Sequence, residues 1–290
     1  MDENILKETQ QKTELVLKNV YNLPAISGAM QEVSRLLDDP STNTDSLSKT
    51  IGKDQGLATK ILSIANSPLY GLSRKVTTIE FAILIIGFQD IKNIVIALSM
   101  VESFKGKTDK FFNQKDFWLH SIITANAARK MALDLGFRIG GEAFIAGLLH
   151  DLSIPVIHKY FHSHFIKIVD NVNSNEMSFA EAEKLALGFT HAEIGSLLVE
   201  KWNLAETLKE NILEHHNPGN SAKENVITAI VHLADFMTQH FKIGDFYWDE
   251  DLELDESILP TLKFDNREKL EEFIEGYRDL FEEDSKSLIL

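Results

Sequence analysis

The sequence predicts an all-α protein. Apolar residues recur at spacings of three and four along most of the chain, as in Leu57, Ile61, Ile64 and Ala65, or Ile194, Leu197, Leu198 and Trp202. No alternating run bounded by hairpin signals reads as a strand. The prolines (Pro24, Pro40, Pro68, Pro155, Pro218 and Pro260) fall where helices should start or stop. Asp45, Thr78 and Ser178 suit N-caps, and Glu181 three residues after Ser178 completes a capping-box pattern. The most apolar run, residues 79–100, is interrupted by Gly87, Gln89, Asp90, Lys92 and Asn93, so it predicts two core helices and not a membrane span. Asn66-Ser67-Pro68 reads as a helix stop and turn; a docking surface is its functional alternative.

The 290 residues include no cysteine, which removes disulfides, thiolate metal sites and cysteine nucleophiles from consideration. Any metal site must therefore use His, Asp and Glu. The net charge of −15 argues against broad binding to nucleic acid or an anionic membrane. Lys49, Lys53, Lys60, Arg74 and Lys75 form only a thin basic set, too sparse for a DNA-binding face. No apolar stretch follows a basic start, so no signal peptide is expected and the default location is the cytoplasm.

Charge and histidine divide the chain. All ten histidines lie between His120 and His240, and none precedes them. Residues 245–290 carry 16 acidic and 5 basic residues, so most of the net charge sits in this tail. Leu270, Phe273, Ile274, Tyr277 and Phe281 have helical spacing there, which predicts an amphipathic helix docked on the body. Its acidic face reads first as solvated; a substrate-repelling or partner-binding surface is the alternative.

The pair His150–Asp151 ends an apolar stretch, where an ionised Asp is costly without a partner. A divalent cation satisfies both side chains, and a carboxylate can bridge two ions. Similar groups recur among apolar residues: Asp116 and His120 one turn apart, His191 after Thr190 as a possible cap, His215 and His216 before Asn217-Pro218, and His232 with Asp235. Five helices could thus converge on one centre, as in helix-bundle metal sites. His158, His162 and His164 read as hydrogen-bonded core residues. His158 and His162 have i,i+4 spacing, but no third ligand is evident for them. His240 reads as surface.

At these residues the sequence resembles the HD superfamily of metal-dependent phosphohydrolases, and more closely its HDOD branch, the HD-related output domain of bacterial signalling proteins. The resemblance covers about residues 20–240. It rests on Leu23-Pro24-Ala25, Asp45 to Ile51, Lys60-Ile-Leu-Ser-Ile-Ala-Asn-Ser-Pro-Leu-Tyr-Gly71, Val76-Thr-Thr-Ile-Glu-Phe-Ala82 and the Ile86-Gly87 turn. Further along it rests on Ala146-Gly-Leu-Leu-His-Asp151, Thr190-His-Ala-Glu-Ile-Gly195, Lys201-Trp202, His215-His-Asn-Pro218 and Val231-His-Leu-Ala-Asp235. It implies an N-terminal helical subdomain (1–108) packed on an HD-like metal-binding helical core (109–244), with residues 245–290 as an acidic helical extension. A first ion would be held by His120, His150, Asp151 and Asp235. By analogy with HD-GYP phosphodiesterases, further ions would use Asp116, His191, His215 and His216. The ions expected are two or more divalent transition metals (Fe, Mn, Zn or Ni).

Two departures from active HD-GYP enzymes bear on turnover. Their HD pair continues with Ile-Gly-Lys, and the Lys binds phosphate; here Leu152-Ser153-Ile154-Pro155 follows. Their Gly-Tyr-Pro loop is replaced by Asn217-Pro218-Gly219-Asn220. The favoured expectation is therefore a signal-transduction output module with a retained metal centre, acting through signalling protein partners. With no receiver or sensor segment evident, its input is expected in trans or through a ligand. The alternative is a phosphohydrolase acting on a phosphoester, nucleotide or cyclic dinucleotide, with Asp151, His216 and His232 as candidate catalytic residues. A purely structural domain with hydrogen-bonded His and Asp is the third reading.

Overall fold

A computed structural model describes residues 3–20, 28–72, 74–103, 108–175, 177–202, 204–221, 225–246, 248 and 252–287. Leu23-Pro24-Ala25 lies outside these residues. Helices α1 (Glu3–Leu17), α2 (Gly28–Asp38), α3 (Thr44–Ile51), α4 (Gln55–Ala65), α5 (Ile79–Ile86) and α6 (Phe88–Ser103) form the first part. Then come α7 (Gln114–Asp134), α8 (Gly140–Leu149), α9 (Ser153–Tyr160), α10 (His162–Asn175), α11 (Phe179–Leu187), α12 (His191–Lys201), α13 (Glu206–Glu214) and α14 (Val226–His240). The extension holds α15 (Ile258–Leu262), α16 (Arg267–Glu275) and α17 (Arg278–Ser287). Among the described residues there is no strand, as the sequence predicts.

Local chemistry explains most boundaries. Thr78 caps α5 by accepting the Phe81 amide at 3.2 Å, and Ser178 and Glu181 form the reciprocal box that starts α11. Gly87, at φ +94°, separates α5 from α6 in a conformation other residues avoid. Asn66 ends α4 as a clamp: its amide donates to the carbonyls of Leu62 and Val76 at 2.8 and 2.7 Å, and its oxygen accepts the Val76 amide at 2.7 Å. One cap differs from the expectation. Asn43, not Asp45, caps α3 by accepting the Ser46 amide at 2.9 Å. Asp45 sits in the first turn and pairs with Lys49 at 2.7 Å.

Helix α7 is the axis of the core. Between Phe117 and Ala128 every residue but Leu119 is buried, so α8, α14 and the extension cover it on all sides. Gly147 lets α8 approach: a Cβ there would stand 2.9 Å from Ala125 Cα. The segment Gly140–Tyr160 is long and apolar enough to cross a membrane, yet 83% of its apolar window is buried inside the protein. It also breaks at His150–Asp151 between α8 and α9.

The ends of the chain dock on the body. In α1, Thr13 Oγ1 donates to the Leu187 carbonyl at 2.7 Å and Gln10 Nε2 to the Gly188 carbonyl at 3.0 Å. The first helix thus packs on α11, in the histidine-bearing half. The tail buries Leu270, Ile274, Tyr277 and Phe281 as the periodicity predicts, but in two helices that part at Gly276. Tyr277 donates to Asp134 of α7. Asn126 Nδ2 donates to the buried Asp284 at 3.3 Å.

Burial raises the Asp284 carboxyl to about 6 against the partly offsetting hydrogen bonds of Ser67 and Asn126. A carboxyl raised on folding contributes stability below its unfolded value of 3.8 that is lost as pH rises through about 6. D284N is therefore expected to exceed the wild type in stability at neutral pH by about 1–3 kcal/mol. Urea denaturation across the acid range checks this: the gap should open as pH rises through the folded value and be smallest in acid. A pH-independent gap would contradict the assignment.

Candidate metal centre

Five helices deliver seven of the predicted ligand groups to one buried point. His120 comes from the first turns of α7, and His150 and Asp151 from the joint between α8 and α9. His191 opens α12, His215 and His216 follow α13, and Asp235 comes from α14. The joints are built for this. Gly195 lets α12 approach α13, since a Cβ there would lie 2.7 Å from Ile212 Cγ2. Ser153 donates its hydroxyl to the His191 carbonyl at 2.6 Å, tying the start of α9 to the start of α12.

The ligand atoms fall into two groups that share Asp151. In the first, His120 Nε2 lies 3.2 Å from His150 Nε2 and 3.2 Å from Asp235 Oδ1, and Asp151 Oδ2 lies 3.1 Å from His150 Nε2. In the second, Asp151 Oδ1 lies 3.5 Å from both His191 Nε2 and His215 Nε2. The ligating atoms of His191, His215 and His216 also lie within 4.8 Å of one another. Ligands about 2.0–2.2 Å from a common ion stand about 3.0–3.5 Å apart, the spacing of the contacts that His120 makes with His150 and Asp235 and of those that Asp151 makes with His150, His191 and His215.

The donors are presented for coordination. His150 Nδ1 faces the Gly147 carbonyl and His215 Nδ1 the Ile212 carbonyl, each at 2.7 Å. A carbonyl only accepts, so Nδ1 carries a proton in both rings and Nε2 is the nitrogen that faces inward. His191 Nδ1 faces Glu183 at 2.9 Å, and Glu183 also accepts the His191 amide and the Trp248 indole N–H. Glu183 is fully buried. It is a residue that the sequence reading missed, because -Ala-Glu-Ala-Glu- inside a helix looks like a solvated face.

Electrostatics favour a cation here. Among the described residues, Asp151 and Asp235 pair with histidines and with no Lys or Arg. Burial works against both charges, but the neighbouring His150 imidazolium holds both carboxyls well below the usual range. Burial likewise disfavours His150's charge, which the Asp151 and Asp235 carboxylates outweigh, lifting it well above its ordinary value. Burial, with His216 beside one and His191 beside the other, pushes His215 and His216 down to about 4. Those two rings are thus neutral at neutral pH. The proton on His150 stands where a cation would, and an ion would displace it. Asp151 Oδ1, His215 Nε2 and both oxygens of Asp235 are buried without a hydrogen bond. Orphaned acceptors of this kind fit divalent cations.

Two expected residues lie elsewhere in role. Asp116 joins neither group. It lines a cleft of about 200 Å³ with Asp109 and Asp245. Its carboxyl is raised by burial and by Asp245. His232 has both nitrogens engaged: Nδ1 donates to the His215 carbonyl at 2.8 Å, and Nε2 accepts the Asp255 amide at 2.9 Å. Burial lowers it to about 4, so the ring is neutral at neutral pH and braces the His215 carbonyl. His216 is partly exposed, 4.0 Å from Asp235, and reaches a cleft of about 440 Å³ whose walls include Asn217, Glu253 and Asp255.

Residues 23–218 match the HDOD domain family. The chain belongs to the HDOD family. An HDOD domain protein of unknown function from Geobacter sulfurreducens is 25% identical, with a TM-score of 0.73 over 98% of this chain and 99% of that one. A candidate phosphohydrolase from Shewanella amazonensis SB2B shares the fold, with 23% identity and a TM-score of 0.69 over 94% and 98% of the two chains. An uncharacterized protein of Treponema pallidum (strain Nichols) is 21% identical over 96% of this HDOD chain, which spans 53% of that relative's length.

Glu183 gives the centre a direct test. Glu183→Gln keeps the size of the side chain but weakens its grip on His191 Nδ1–H. Metal affinity, measured by competition with a chromophoric chelator, is expected to fall about 10- to 100-fold. Unchanged affinity would remove Glu183 from the site.

Proposed function

We propose that this HDOD protein is a cytoplasmic signal-transduction output module whose buried His/Asp centre holds two divalent transition-metal ions and which acts through contacts with signalling proteins. The ligands would be His120, His150, Asp151 and Asp235 for one ion, and Asp151, His191, His215 and His216 for the other. Bound ions would neutralise the buried carboxylates and lock five helices together; in a hydrolase they would also polarise a phosphoryl oxygen and acidify water.

The mouth of the site carries the choice of function. Glu253 and Asp255 line the cleft reached by His216, and among the described residues no Lys or Arg does. A phosphoester dianion entering there meets carboxylates and no fixed cation, where electrostatic stabilisation by a positioned donor is commonly worth about 3–4 kcal/mol. Ser153, within the segment where active relatives carry a phosphate-binding Lys, instead braces the His191 carbonyl. The phosphohydrolase reading keeps one support of its own: His216 joins the ligand cluster to an open cleft.

Purified protein loaded with Mn, Fe or Co is expected to leave phosphomonoesters, nucleotides and cyclic dinucleotides unhydrolysed, and to capture a protein partner from lysate. Asp151→Ala is expected to lose the metal and melt at lower temperature. Turnover that vanishes in the Asp151→Ala protein would transfer the chain to the hydrolases. Unchanged metal content and melting temperature in that variant would refute the centre.

A further inference from the structure

A second convergence of ligand atoms lies outside the buried centre, at the corner between α9 and α10. The i,i+4 pair His158 and His162 lacks a third partner in its own neighbourhood of sequence. The fold supplies one from a distant segment. Asp109 Oδ2 stands 3.0 Å from His158 Nε2 and 3.5 Å from His162 Nε2, and the ligating atoms of all three lie within 4.8 Å of one another.

The trio is held in place by its surroundings. Asp109 Oδ1 accepts the amides of Phe111 and Phe112 at 2.8 and 3.1 Å, which turns Oδ2 toward the two rings. His158 is buried between Phe112 and Phe165, with ring centroids 4.8 and 4.9 Å away. The His162 ring stands edge-on to His158 at 5.0 Å, with its side chain 49% exposed, so the trio is open to solvent on that side. A simple hydrogen bond explains Asp109 with His158. His162 Nε2 approaches the same oxygen to 3.5 Å, within the spacing of two ligands around a common ion, about 3.0–3.5 Å. Asp109 also shares its cleft with Asp116 and Asp245, carboxylates that raise the local cation concentration.

The geometry points to a peripheral divalent transition-metal site formed by Asp109, His158 and His162, separate from the buried centre. Two imidazoles and one carboxylate, without thiolate, suit Zn²⁺, Co²⁺ or Ni²⁺, with solvent completing the coordination. An ion there would staple the residues just ahead of α7, which carries His120, to the corner just beyond the His150–Asp151 joint. Binding would thus stabilise the fold in proportion to metal concentration.

The test uses the full chain. Asp109→Asn retains an oxygen for the Phe111 and Phe112 amides, and His162→Ala alters an exposed ring, so both variants should fold. In equilibrium dialysis at micromolar free Zn²⁺, each is expected to bind one ion fewer than the wild type and to keep the ions of the buried centre. An Asp151→Ala chain should show the opposite loss, which separates failure of this site from failure of the buried one. His162→Cys introduces the chain's only thiol. With Co²⁺ it is expected to show a near-ultraviolet cobalt–thiolate charge-transfer band, which a histidine with a merely structural role would not produce. Equal Zn²⁺ uptake by wild type, Asp109→Asn and His162→Ala, or no cobalt–thiolate band, overturns the assignment.

Discussion

The structure turns on two carboxylates, Asp151 and Asp235, placed in the middle of a helical protein with no lysine or arginine among the described residues to meet them. Ionised groups so deeply buried cost several kcal/mol each unless compensated. Compensation here comes from imidazoles. Most of these are themselves braced through Nδ1 by carbonyls or by Glu183, so their Nε2 atoms are aimed at the same space. Each feature around the centre follows from that need. Gly147 and Gly195 remove the Cβ atoms that would hold the ligand-bearing helices apart, and Ser153 ties two ligand-bearing joints together.

The same constraint gives the acidic extension a structural role beyond its charge. Trp248 donates to Glu183, which orients His191, and the Asp255 amide fixes His232, which in turn holds the His215 carbonyl. Two of the candidate ligands are thus braced by residues that follow α14. Farther along, α17 packs against α7, the helix that carries His120, and its Asp284 accepts from Asn126 there. A change in how the extension sits is therefore coupled to the ligand shell, and a change at the ligand shell to the surface that the extension presents.

What could be read in the sequence was local or carried by residue type. Helical periodicity, the Thr78 and Ser178 caps, the Asn66 stop and the Gly87 break each depend on a few neighbouring residues. The His and Asp positions stood out because ionisable groups are rare among apolar ones, and the HDOD resemblance ordered them. The hidden features depend on distant partners. Glu183 looks like any helical acid until Trp248 and His191 are seen to meet on it. Asp109 is separated from His158 by 49 residues. The docking of α1 on α11 rests on Thr13 and Gln10, polar residues with no periodic signature. His232 and Asp116 carry the right chemistry at the right spacing, and only the fold shows one tied to backbone groups and the other turned toward Asp245.

The central claim is that cations, and not protons alone, satisfy the buried Asp151 and Asp235. Anomalous diffraction from crystals of the metal-supplemented protein tests it most directly. The account predicts two strong peaks at the metal absorption edge, one on each side of the Asp151 carboxylate, the first also bonded to Asp235 and the second to His191 and His215. A map without anomalous density between those side chains, from protein grown and purified with added metal, would contradict it.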